Sequence, residues 1–348
     1  MTGTKIAFLY SEVAGYFMAC AHSLSQQAEV LIIRWPTNAE APFEFESSDQ
    51  LKVVTKSDYS TPQLKELLDE FNPDVLVCSG WMDKDYLKLV KGLDKKVKRV
   101  LSLDNHWTGS MKQKAASIIS PFYLRKIFTH AWVPGNPQAE YAKKLGFDTK
   151  IIRGFYCANS NFFNQKFAAT FADKKGEFPK RFLYVGRYVA HKGIFEMWEA
   201  FQQLQKEKPN KWELWCLGTG DQWENRVVDE KIKHFGFVQP ADMDQYICET
   251  GVYILPSKFE PWGVSVQEFA IAGFPLLLSD AIGSKEQFLK DNGISFEAGN
   301  VAQIKKAMCE IIEMDDAQLI EKGENSHAIG MSYTTEQWAE RILAIKSK

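Results

Sequence analysis

Short apolar runs alternate with helix-period segments along nearly the whole chain, and that alternation limits the fold more than any other feature. Residues 5–10, 29–34, 74–78, 98–103, 129–133 and 149–153 read as strands. Residues 15–25, 62–71 and 136–145 read as helices between them. In 62–71, Leu64, Leu67, Leu68 and Phe71 recur at the i, i+3, i+4, i+7 spacing of an amphipathic helix, and Asn72-Pro73 stops it. Strands separated by helices predict a parallel sheet covered on both faces. Residues 154–178 lack a clear period and read as a linker. The alternation then restarts: strands at 181–185, 211–217, 252–255 and 276–279, helices at 194–206, 264–272 and 301–314. The expected fold is α/β, two doubly wound units facing across a cleft. The first spans residues 1–155 and the second 156–334. A last helix, 335–348, carries Trp338, Ile342 and Ile345 on one side and is expected to cross back to the first unit.

Composition agrees with two ordinary globular domains. The 348 residues are 45% hydrophobic and 25% charged, which excludes disorder and collagen-like repeats. The formal net charge of −2 gives no basic balance pointing to nucleic acid. The two halves carry about +3 and −5, a mild asymmetry. No run approaches the ~18 apolar residues of a membrane span. Lys5 precedes an apolar stretch and Ala19-Cys20-Ala21 faintly resembles a cleavage site, but Ser11 and Glu12 interrupt it, so a strand is expected rather than a leader. The six cysteines are scattered with no C-x-x-C pair, so reduced thiols in a cytoplasmic protein are expected, not a disulfide framework or zinc site.

The densest chemical signal runs from Pro256 to Glu268. Glu260 falls just past a strand end and Glu268 lies within the following helix. Between them Gly263, Val264 and Ser265 would present unpaired N–H groups, which suit phosphate, while the carboxylates can accept bonds from sugar or ribose hydroxyls. The bland alternative is that Glu260 caps the helix and Glu268 sits on a solvated face. The second signal runs from Tyr184 to Gly193. Gly186 ends a strand, and Arg187 and Lys192 precede a helix. Two such cations can hold a diphosphate, Arg by its fork and Lys as a point charge; the alternative is two solvated surface cations.

Together, G-R-x(4)-K-G and a later P-S-x-x-E-x-x-G-x(4)-E resemble the retaining glycosyltransferase family four, the group 1 glycosyltransferases of the GT-B fold, built from two Rossmann-like domains. Ala270–Pro275 is similar to the family's A-x-A-x-G-x-P stretch, and Gly283-Ser284-Lys285-Glu286 stands where many members have a glycine pair before a glutamate. The resemblance covers residues 181–300 well and the first half mainly in rhythm.

The resemblance implies a metal-independent, retaining hexosyltransferase without a cofactor. Its donor would be a nucleotide-diphosphate sugar of UDP or GDP type. Its acceptor would be a glycan or lipid-linked molecule in surface polysaccharide or related glycan biosynthesis. Arg187 and Lys192 would neutralise the diphosphate, Glu260 would contact the donor sugar and Glu268 would hold the ribose. Gly263, Val264 and Ser265 would line sugar and phosphate. Gly186 would belong to the donor pocket, Val238 would meet the base and Gly218-Thr219-Gly220 could form its wall. His106 would lie near the donor sugar; the alternative is a loop histidine bonded to backbone. Two departures stand out. Ser284 replaces a common glycine, and the usual glycine pair after the first strand is Ala14-Gly15, leaving Gly15 alone to approach phosphate. A GT-B nucleotide-sugar epimerase and an inactive nucleotide- or glycan-binding scaffold are the rival readings. The intact Glu260, Glu268, Arg187 and Lys192 set speaks against the scaffold.

Two D-x-D triplets, Asp83-Lys84-Asp85 and Asp242-Met243-Asp244, open expected helices, where acid is favoured by capping and the helix dipole rather than by metal. Leu217–Gly220 lacks the third glycine of a dinucleotide fingerprint. From Asn105 to Ala139 there is no Asp or Glu, while Lys112, Lys114, Arg125 and Lys126 stand among Trp107, Phe122, Tyr123, Phe128 and Trp132. Such a stretch, 105–139, suits peripheral contact with an anionic membrane at its inner face. The opposing expectation is that Ile118, Ile119, Tyr123 and Ile127 are core residues and the cations merely solvated.

Overall fold

The computed structural model describes residues 3–36 and 48–346. The chain runs β1 (Thr4–Tyr10), α1 (Gly15–Ser25), β2 (Ala28–Arg34), β3 (Leu51–Thr55), α2 (Thr61–Phe71), β4 (Val75–Ser79), α3 (Lys84–Gly92), β5 (Lys98–Ser102), α4 (Met111–Ile127), β6 (His130–Val133), α5 (Asn136–Lys144) and β7 (Ile151–Arg153). It continues with α6 (Ser160–Gly176), β8 (Arg181–Val185), α7 (Ile194–Glu207), β9 (Glu213–Leu217), β10 (Ile232–Gly236), α8 (Asp244–Glu249), β11 (Val252–Leu255) and α9 (Val264–Ile271). Then follow β12 (Leu276–Ser279), α10 (Lys285–Phe288), β13 (Gly293–Phe296), α11 (Val301–Glu313), α12 (Asp316–Gly330) and α13 (Thr335–Lys346). Two compact units result: residues 1–159 with 333–348, and residues 160–332.

In the first unit a parallel seven-stranded sheet has the order β3-β2-β1-β4-β5-β6-β7. Its strands are buried on both faces, so they read as continuous apolar runs. Ile6, Phe8 and Tyr10 of β1 join one core with α1 and α13, while Ala7 and Leu9 join the other with α2 and α3. The last helix packs on α1, and Trp338 donates its indole N–H to the Phe155 carbonyl at 2.8 Å. Local chemistry sets the helix ends. For α2, Ser60 and Gln63 form a reciprocal cap, Pro62 sits in the first turn, and Asn72 stops the helix in a left-handed conformation at φ 49°.

In the second unit a parallel six-stranded sheet has the order β10-β9-β8-β11-β12-β13. Both sheets therefore share the doubly wound order in which sequential strands run outward from the first and then restart beside it. Both units are Rossmann-like α/β folds.

Two expectations need correction. Residues 154–178 are not all linker: 160–176 form the 17-residue helix α6, which belongs to the second unit. Its buried stripe includes Ser160, Phe163, Thr170, Phe171 and Lys174, and the polar members flatten the apolar period that would have announced it. Residues 105–139 likewise hold the 17-residue helix α4, and Ile118, Ile119 and Tyr123 are exposed there rather than core; only Ile127 is buried. The strands β3, β10 and β13 are also absent from the sequence expectation, being short strands that the apolar pattern marks weakly. Among the described residues no helix is long and apolar enough to cross a membrane.

Candidate functional site

Strands β8 and β11 are neighbours in the second sheet, and the chain leaves them in opposite directions, toward β9 and toward β12. Loops diverging from such a switch point leave a crevice at the carboxyl ends of the strands, where doubly wound sheets bind ligands. The two loops here are Gly186–Gly193 and Pro256–Gly263, the same two segments that carry the sequence signals.

Backbone contacts lock these loops to each other. Lys258 N–H donates to the His191 carbonyl at 2.8 Å. Gly193 has φ +70°, and a Cβ there would stand 2.1 Å from the Pro256 carbonyl oxygen, so only glycine lets the loops meet. Within the first loop Tyr188 is buried, with its hydroxyl 2.8 Å from His234 Nδ1. The buried Tyr184 hydroxyl donates to the Arg187 carbonyl at 2.9 Å. With its backbone pinned and its neighbour Tyr188 turned inward, Arg187 itself is exposed. Gly186 N–H is occupied by the Leu217 carbonyl at 3.0 Å, continuing the sheet, so Gly186 shapes the crevice rather than offering a donor.

The second loop ends at Gly263, which precedes α9 in a left-handed conformation at φ 83°. No side chain caps α9, and the first backbone bond of the helix is from Val266 N–H to the Gly263 carbonyl at 3.1 Å. The N–H groups of Gly263, Val264 and Ser265 thus lead the helix without side-chain caps, at the positive end of its dipole. Glu260 is not the cap. Its carboxylate instead accepts from Lys192 Nζ across the switch point, in an ion pair whose side chains are only 16% and 13% exposed. The two motifs found separately in the sequence are therefore one electrostatic unit. Removing one member of a pair this sheltered leaves the other charge uncompensated, which is destabilising.

Glu268 lies one turn further along α9 and is half-buried, not on a solvated face. Burial pushes its carboxyl up to about 7. Such a group is ready to accept bonds from hydroxyl donors. His191, not singled out from sequence, stands between the two cations in the motif. Its imidazole is held below the ordinary value by partial burial and by the Lys192 and Arg187 charges, a sign that the local field is positive.

Ser284, the departure from the glycine pair, is buried and donates its hydroxyl to the Gly263 carbonyl at 3.2 Å, while its N–H bonds the Trp262 carbonyl at 3.0 Å. Its side chain thus ties the loop after β12 to the start of α9. Val238 follows edge strand β10, half-buried beside the exposed Phe237.

The structure gathers Arg187, Lys192, Glu260, Gly263, Val264, Ser265 and Glu268 around the β8–β11 switch point. Val238 stands two strands away on the same sheet. His106 and Gly15 lie in the first unit. His106 is half-buried in the loop after β5, where its main-chain carbonyl accepts from Gln113 Nε2 at 2.7 Å. Gly15 opens α1 and is exposed, and a Cβ there would meet nothing within 4 Å. Asp83 is fully engaged: it caps α3 through the N–H groups of Asp85 and Tyr86 and pairs with Lys56 at 2.7 Å.

Comparison with known proteins points the same way. Over 144 residues the chain is 27% identical to a glycogen synthase of Mycobacterium tuberculosis, covering 39% of this chain and 34% of that one. Over 189 residues it is 27% identical to 2-deoxystreptamine N-acetyl-D-glucosaminyltransferase of Niallia circulans, covering 50% of this chain and 48% of that one. The matches thus span about a third to a half of these relatives' length. Among solved structures, sucrose-phosphate synthase of Thermosynechococcus elongatus superposes with a TM-score of 0.74 at 16% identity, covering 98% of both chains. Anabaena HepE, solved in complex with UDP and glucose, gives a TM-score of 0.72 at 14% identity, covering 99% of both. These likenesses place the fold with GT-B proteins. Residues 166–326, nearly the whole of the second unit, match the family model "Glycosyl transferases group 1".

Proposed function

We propose that this chain is a retaining, metal-independent glycosyltransferase that moves a sugar from a nucleotide-diphosphate sugar to a glycan or glycolipid acceptor, working in the cytoplasm. The observation that carries this is the β8–β11 switch point. Exposed Arg187, the Lys192–Glu260 pair, an uncapped helix start and a half-buried Glu268 converge there.

The chemistry follows from charge. Breaking the bond from sugar to phosphate leaves negative charge on the diphosphate and positive character on the sugar ring. Arg187, Lys192 and the N–H groups leading α9 stabilise the leaving diphosphate before the bond breaks. Glu260, held by Lys192, orients the sugar hydroxyls, and ionised Glu268 accepts from the ribose. Departure on the same face as attack lets the leaving phosphate oxygen take the acceptor's proton, which preserves the anomeric configuration. His106 and Gly15 are assigned to the donor by the family resemblance alone. UDP is the first nucleotide to test, supported by the HepE complex.

Calorimetry with UDP, GDP, ADP and CMP tests the donor class. Binding of one nucleoside diphosphate, lost in Glu268→Ala, is expected; an unchanged dissociation constant in that variant rejects the ribose role. Activity should survive EDTA, and inhibition reversed by magnesium or manganese overturns the metal-free scheme.

A further inference from the structure

The helix α4 presents a face that the chain's own core does not use. Ser110 caps it by accepting from Gln113 N–H, and Ser120, Leu124 and Ile127 fix its inner side. On the outer side Met111 is 79% exposed, Ile118 70%, Ile119 61% and Phe122 74%. With Ala115, these positions recur at helical spacing and form one continuous apolar stripe. Single exposed apolar residues are ordinary, but four large ones in one stripe mark an interaction surface. Exposed Lys112, Lys114 and Lys126 flank the stripe, and no carboxylate occurs from Asn105 to Ala139.

We infer that the outer face of α4 docks on an anionic lipid surface, laying Ile118, Ile119 and Phe122 into the acyl boundary while Lys112, Lys114 and Lys126 meet the headgroups. The charge pattern selects this occupant. A second copy seated face to face across α4 would set these lysines against the same lysines, with no carboxylate in the segment to pair them. A lipid surface supplies apolar depth and negative charge together, which is the pairing that interfacial helices use. The inference uses no part of the donor site, so it stands or falls separately from the transferase proposal.

The test is co-sedimentation of the full chain, without nucleotide, on vesicles of phosphatidylcholine alone or mixed with phosphatidylglycerol. Binding to the mixed vesicles, much weaker binding to phosphatidylcholine and release by salt are expected. The double variant Ile118→Ser with Phe122→Ser should lose at least about tenfold in vesicle affinity, and Lys112→Glu with Lys126→Glu a comparable amount. All four positions are exposed, and an unchanged melting temperature verifies that the variants fold. Three results overturn the inference. One is no binding to phosphatidylglycerol vesicles at low salt. Another is undiminished binding by both double variants. The third is a dimer of the parent chain that the serine variant converts to monomer without any vesicle binding, which would give the face to a second copy.

Discussion

The switch points of the two sheets have the same topology but differ in how their charged side chains are engaged. In the first unit β1 and β4 stand side by side as β8 and β11 do in the second. Around β1 and β4, α1 also starts without a side-chain cap, but the polar groups of the β4–α3 loop are paired. Ser11 N–H donates to Ser79 Oγ at 2.9 Å, and Asp83 is consumed by Lys56, the Trp35 indole and the cap of α3. Around β8 and β11, by contrast, Arg187 is exposed and burial holds the Glu268 carboxyl above its ordinary value. A shared fold thus provides two crevices, and what separates them is how their charged side chains are engaged.

The most damaging change should be Arg187→Ala. On the proposed scheme it removes a cation that stabilises the leaving diphosphate, lowering kcat by about 10²–10³-fold with little change in melting temperature. The matching perturbation in the first unit, Asp83→Ala, should do the reverse: a loss of about 1–2 kcal/mol in stability, measured by urea unfolding, with turnover of the folded fraction preserved. If Asp83→Ala abolished turnover in a folded protein, the contrast between the two crevices would collapse.

Glu268→Gln sharpens the comparison further, because function and stability should move in opposite directions. Loss of a charged acceptor should weaken nucleoside diphosphate binding by about 10–100-fold in calorimetry. Its carboxyl sits at about 7 in the folded chain against an ordinary 4.5. Between these values the folded state holds the extra proton, so stability declines as pH rises from 4.5 to 7 and the full cost is present above 7. The Gln variant should therefore be more stable than the parent at pH 8, by about 1–2 kcal/mol. Nucleotide affinity of the parent should fall as pH drops through 7, and that dependence should flatten in the variant.

The smallest effect expected on function is at Lys174. It is buried in α6 with Nζ 3.6 Å from the Phe274 ring centre and no hydrogen-bond partner, and burial pushes its amine down to about 7. The unfolded chain binds the extra proton between 7 and the ordinary 10.5, so this lysine makes stability rise with pH across that window. Lys174→Met should raise the melting temperature at neutral pH and remove the slope, with turnover unchanged. Half-buried Glu268 and buried Lys174 are ionisable groups of the second unit with opposite pH signatures, and only Glu268 lies at the proposed site.

Much of this was legible in the sequence, for a definable reason. Strands buried on both faces must be continuous apolar runs, so 5–10, 29–34 and 181–185 announced themselves. The motifs of the β8 and β11 loops were legible because Gly193 and Gly263 occupy backbone positions that other residues resist, and because Arg, Lys and Glu stand at fixed offsets from them. Where a helix departs from the inside-apolar rule, sequence patterning failed. In α6 the buried stripe contains Ser160, Thr170 and Lys174, and in α4 the exposed stripe contains Ile118, Ile119 and Phe122, so neither shows a simple period.

By itself, then, the sequence determined the two sheet-and-helix units and which side chains are available for phosphate and hydroxyl chemistry, since both depend on local spacing. Only the tertiary structure decided which of them meet. Lys192 and Glu260 are 68 residues apart and become an ion pair because β8 and β11 are neighbours. The same holds for the environment of Glu268 and for the direction in which α4 turns its apolar stripe. Burial and pairing are properties of what packs around a residue, and one-dimensional spacing does not encode them.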